Sequence, residues 1–184
     1  MQAAGGFRDA PAEAAVAFRA AMTALARPGR IERVAGAAPP APLSVAAGVL
    51  LLTLVDADTP LHLAGAADTA EIRDWLAFHT AAPLAGPDRS VFALGRWEAL
   101  PPLDAFPQGT PDYPDRAATL IVELDRLAPE GAALEGPGIA TRAALSLPDP
   151  AAFRANHARF PLGIDAFFTC GDRLAALPRS TRVL

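Results

Sequence analysis

The chain has 184 residues, about half of them apolar, and a formal net charge of −4. That is enough for one substantial core and too acidic for a broad surface that would draw in a nucleic-acid backbone. All sixteen basic residues are arginine, which excludes a lysine Schiff base to pyridoxal phosphate, a lysine-bearing phosphate loop and a lysine general base.

The single cysteine, Cys170, allows no internal disulfide and cannot alone hold an iron–sulfur cluster. In the run Phe167-Phe168-Thr169-Cys170 it reads as a small buried hydrophobe. His62, His79 and His157 fall in three separate segments without metal-ligand spacing, so no metal site is expected. Arg8, Asp9 and Glu13 precede any apolar run, which argues against a signal peptide. The most apolar stretch, Val45 to Val55, is too short for a bilayer and stops at Asp56 and Asp58. A soluble, cytoplasmic protein is expected, with no membrane and no nucleic-acid partner.

In chain order, the first helix is expected between Pro11 and Pro28. Phe18, Met22 and Leu25, with Ala15 behind them, make one apolar stripe. The stripe is read first as core-facing and second as a partner surface. Pro28-Gly29 ends the helix. A second helix is expected from Leu43 to Leu54, buried nearly all round, with a strand as the competing reading and Gly48 as a point of close approach. In the third, Asp68 is expected to cap the helix and Glu71 to complete the capping box; Ile72, Trp75, Leu76 and His79 share a face.

Strands are expected at Ser90–Leu94, Ala118–Leu124, Ala143–Leu147, Ile164–Cys170 and Arg173–Leu177, with a two-residue hairpin at Gly171-Asp172. A fourth helix is expected to start at Asp149-Pro150 and to display Phe153 and His157, with Phe160 as a further candidate for the same face. Pro101 to Pro114 reads as a long ordered surface loop. This pattern is an α/β domain, with helices on both faces of a mixed sheet and a single domain over 1–184.

Machinery for catalysis is not recognisable. Asp56 and Asp58 are explained by a turn before Thr59-Pro60. Gly136-Pro137-Gly138-Ile139 reads as a tight backbone crossing whose exposed amides offer a place for an anion. Arg27 and Arg30 bracket Pro28-Gly29, and Arg179 lies near Arg182. Arg27, Arg30, Gly136, Gly138 and Arg179 are therefore the candidate anion- or partner-binding residues.

Several short motifs in a fixed order complete the reading. They are Phe18-Arg19 with Arg27-Pro28-Gly29-Arg30, then Asp56-Ala57-Asp58-Thr59, Phe78-His79-Thr80, Gly109-Thr110 and Pro114-Asp115-Arg116. Gly136-Pro137-Gly138-Ile139, Phe160-Pro161-Leu162-Gly163-Ile164-Asp165 and Leu177-Pro178-Arg179-Ser180-Thr181 follow. Over the whole chain the sequence resembles the PhnH subunit family of the bacterial carbon–phosphorus lyase complex. The resemblance implies a three-layer domain similar to the core of pyridoxal-phosphate-dependent transferases but without the cofactor. It implies homodimers, partnership with PhnG, PhnI and PhnJ type subunits, and an accessory, noncatalytic role in phosphonate breakdown. It transfers no catalytic residues onto this chain. The alternative is a nucleotide- or phosphonate-binding module built on the candidate residues above.

Overall fold

Strand alternation divides the core in two. In β4 (Thr119–Glu123), Leu120 and Val122 turn to one face and Ile121 to the other, all three fully buried. In β7 (Asp165–Cys170), Phe167 joins Ile121 while Ala166 and Phe168 join Leu120 and Val122. Such two-sided burial is what a central strand covered on both faces requires. The computed structural model describes residues 4–184.

Flanking these strands are β3 (Phe92–Arg96), β2 (Leu61–Leu63), β8 (Arg173–Leu177) and the two-residue β1 (Glu32–Arg33), giving the order β1-β8-β7-β4-β3-β2. The β2-β3-β4-β7 pairings are parallel, whereas β8 runs antiparallel to β7 and β1 to β8. A second, three-stranded antiparallel sheet is formed by β6 (Ala143–Leu145), β5 (Ala132–Glu135) and β9 (Arg182–Val183). One face of the main sheet carries α1 (Ala10–Ala26), α2 (Val45–Leu54) and α3 (Ala70–His79). The other carries α4 (Pro150–His157) and the small sheet. The expected mixed α/β arrangement, with helices on both faces, is what the chain adopts.

Two expectations are corrected. Of the α1 stripe only Leu25 packs, half-buried, against the core: Phe18 is 50% exposed and Met22 48%, and the neighbouring Val16 is more exposed still. The buried face is Ala17, Ala20, Ala21 and Ala24, which contacts α2 and β8. Small side chains let α1 lie close to α2, where Gly48 is also buried, and the large side chains are turned outward. The cap of α3 is Thr69, whose hydroxyl accepts from the Ile72 N–H at 3.3 Å. Asp68 instead receives the guanidinium fork of Arg73, at 2.5 and 2.7 Å. Thr69 lies next to Asp68, and the bidentate pair satisfies Asp68 without the helix amides.

Elsewhere the local chemistry reads as written. Asp149 caps α4 through the Ala152 N–H at 3.0 Å, with Pro150 in the first turn. Gly171, at φ 62°, makes the two-residue turn between β7 and β8. A side chain at Gly48 would press into the Pro39 ring at 2.7 Å, so this glycine does admit a close neighbour. Four short strands, β1, β2, β5 and β9, have no counterpart among the expected elements.

Candidate functional site

The turn at Gly136-Pro137-Gly138 lies against the end of α1. A Cβ on Gly138 would sit 1.9 Å from the Ala26 carbonyl oxygen, and Gly138 holds φ 81°. Only glycine suits both the conformation and the contact. Gly136 packs on Ser180 and Thr181, so the turn brings the α1 end and the 180–182 segment together. Arg27 lies exposed at that α1 end and, among the described residues, has no ion-pair partner. Arg30 is turned aside, to an ion pair with Glu32.

Arg179 does different work. One guanidinium nitrogen donates to the carbonyls of Pro114 (2.6 Å) and Gly163 (2.9 Å), and another pairs with Asp165 at 3.1 Å. Its own N–H donates to Asp165 at 2.8 Å, and its carbonyl meets Nδ1 of His157 at 2.9 Å. The side chain is 16% exposed. Three of the ordered motifs, around Pro114, Gly163–Asp165 and Leu177–Thr181, therefore meet at one guanidinium. The geometry places the candidate residues at two loci: Arg27, Gly136 and Gly138 at the α1 end, and Arg179 at the start of β7.

Other arginine–carboxylate pairs lie on the surface. The Arg73 fork beside Asp68, and the Arg96 fork beside Asp125, hold those carboxyls below the usual range. Arg182, and after it Arg142, does the same for Glu135. Asp56 is lowered by the Thr59 hydroxyl and the Asp58 N–H, in the turn expected for it. Among the described residues no group of three or more His, Cys, Asp or Glu side chains could hold a metal ion.

A cavity of about 310 Å³ opens at the C-terminal ends of β3 and β4, beside the start of α2. Gly95, Arg96, Glu123 and Asp125 line it. Glu123 is half-buried and held twice: one oxygen accepts the Ser44 N–H at 2.7 Å and the other the Thr169 hydroxyl at 2.9 Å. Arg96 and Asp125 close a two-bond fork at 2.7 and 2.9 Å at its rim. Sequence reasoning missed this group. Its one sequence signal is the strand glycine Gly95, where a Cβ would meet Ala64 at 2.9 Å.

The model of the family described as bacterial phosphonate metabolism protein (PhnH) matches residues 5–184. The chain is 41% identical over 190 residues to the alpha-D-ribose 1-methylphosphonate 5-triphosphate synthase subunit PhnH of Rhizobium meliloti (strain 1021), covering 97% of this chain and 94% of that protein. It is 32% identical over 200 residues, with the same coverage, to HtxG of Stutzerimonas stutzeri, a protein named provisionally as a C-P lyase subunit. With nearly its whole length matched, the chain belongs to the PhnH family of bacterial phosphonate metabolism proteins.

Proposed function

We infer that the chain is a PhnH-type accessory subunit of the carbon–phosphorus lyase system, contributing assembly and not bond cleavage. The observation that carries this reading is the match over nearly the whole chain to a family and a relative tied to phosphonate chemistry. The single cysteine fits this division of labour, because one cysteine cannot by itself hold an iron–sulfur cluster. We read the layered core as akin to that of pyridoxal-phosphate-dependent transferases without the cofactor. Its partners are a second copy and PhnG, PhnI and PhnJ type subunits, in the cytoplasm. No described helix is long and apolar enough to cross a membrane.

The outward Phe18 and Met22 of α1 favour docking to another chain over a free helix face. In the alternative, nucleotide-binding reading, the largely buried Arg179 would first have to leave Asp165 and the Pro114 and Gly163 carbonyls, which disfavours that surface. The test is co-purification with the three other subunits, together with growth of a deletion strain on methylphosphonate. Association and restored growth are expected. A chain that never enters the complex at micromolar concentration, or full turnover without it, refutes the role.

A further inference from the structure

The connections leaving β2 and β3 pass to opposite faces of the sheet. After β2 the chain enters α3, whose Ile72, Trp75 and Leu76 lie in the core beneath α1 and α2. After β3 it enters the 97–118 segment, where Leu100 and Phe106 lie in the core of the other face. Adjacent parallel strands whose connections diverge leave a crevice beyond their C-terminal ends, the place where open α/β sheets bind ligands. The cavity reaches that crevice through Ala66 and Ala67, which follow β2, and through Gly95 and Arg96 at the end of β3. Glu123 and Asp125 at the end of β4 complete its wall, and its volume of about 310 Å³ suits a small molecule.

We propose that this cavity binds a small zwitterion, an aminoalkylphosphonate, with its ammonium on Asp125 and Glu123 and its phosphonate on Arg96. Naming phosphonate as the oxyanion rests on the functional reading above. The wall charges set the ligand class: two carboxylates and one guanidinium repel a bare dianion and match a molecule carrying both signs. Among the described residues no aromatic side chain lines the cavity, so a nucleobase has nothing there on which to stack. Glu123 lines the cavity and is fixed by Ser44 and Thr169, one bond to each oxygen, which leaves each oxygen a further lone pair for an ammonium. Arg96 and Asp125 are each more than half exposed, and an exposed pair is weak enough to open and exchange its partners for those of the ligand.

The test is calorimetric titration of the full chain with 2-aminoethylphosphonate, methylphosphonate and β-alanine. One aminoethylphosphonate per chain is expected, bound about tenfold or more tighter than either analogue, since each analogue lacks one charge or the phosphonate geometry. Arg96→Ala and Asp125→Asn are each expected to weaken it by about tenfold with the thermal midpoint little changed, and Arg159→Ala, at a different cavity, to leave it intact. No binding up to about 10 mM, or binding indifferent to Arg96→Ala, overturns the site. Equal affinity for β-alanine overturns the phosphonate assignment. Failed binding with co-purification intact refutes the site alone; failed co-purification with binding intact refutes the assembly reading alone.

Discussion

Replacing Arg179 with alanine tests whether one guanidinium holds three distant segments together. The substitution removes two donations, to Pro114 and Gly163, and the contact with Asp165, while the backbone N–H remains on Asp165. A hydrogen bond involving a charged group contributes about 1.5–3 kcal/mol. The three are not additive, and with the Arg179 and Asp165 side chains 16% and 23% exposed, water enters to replace part of the loss. An overall cost of about 3 kcal/mol follows, below the upper end of about 5 kcal/mol for breaking a fully buried pair. With a urea slope of about 2 kcal/mol/M, the midpoint should fall by about 1.5 M. The thermal midpoint should fall by about 6–12 °C for a chain of this size. Arg179→Lys should recover less than half, because one ammonium cannot reproduce a fork aimed at separate acceptors. Hydrogen exchange should quicken first at Ala118 and Gly163, whose N–H groups bond to the Pro107 and Gln108 carbonyls beside the lock. A midpoint shift below about 0.25 M, equivalent to about 0.5 kcal/mol, would show that the contacts are replaceable by water and refute the lock.

Thr69→Ala should destabilise by about 1 kcal/mol in urea, whereas Asp68→Ala should cost about half that or less, because only Thr69 bonds a helix amide. Gly138→Ala should cost about 3 kcal/mol by the same assay, since its Cβ would meet the Ala26 carbonyl at 1.9 Å in a left-handed conformation. The carboxyls of Asp68, Asp125 and Glu135 are lowered in the folded state, so their stabilisation is present above the unfolded value of about 4 and lost as pH falls through the folded one. Thermal midpoints measured from pH 6 down to about 2.5 should therefore decline below about pH 4, less steeply in an Asp68→Asn/Asp125→Asn/Glu135→Gln variant. Phe18→Ser with Met22→Ser should leave the urea midpoint within about 0.5 kcal/mol equivalent and abolish co-purification with the partner subunits.

What was legible in the sequence is what local chemistry decides. The two-residue turn at Gly171-Asp172 and the cap at Asp149 with Pro150 behind it depend on neighbours a few residues away, and both stand where their residues place them. Strands that cross the centre of the sheet were visible because burial on both faces leaves a continuous apolar run, as in Leu120-Ile121-Val122. The short strands β1 and β9 hold two residues each, too few for any period to register, and exist through their pairing with β8 and β5. The cavity was hidden for a related reason: Arg96, Glu123 and Asp125 become neighbours only because β3 pairs β4 in parallel, with Arg96 opposite Glu123.

The first helix shows where periodicity misleads. A stripe at positions 18, 22 and 25 marks one face of a helix but not which way that face looks. In α1 two faces compete. One is made of alanines, whose small volume permits close contact with α2 and β8, and the other carries Phe18 and Met22. Size-weighted hydrophobicity favours the second, whereas backbone proximity to a tightly packed neighbour demands the first. An alanine at 17, 20, 21 and 24 would be an inefficient way to fill a spacious interior, and a phenylalanine and a methionine left half in water are an inefficient way to finish a monomer's surface. Both choices become economical together if α1 is a middle layer, with this chain's core beneath it and another chain's surface above. Loss of co-purification in the Phe18→Ser/Met22→Ser variant with its fold intact would show that the seventeen residues of α1 are packed to serve both sides, and retained co-purification would show that its outer face is plain surface.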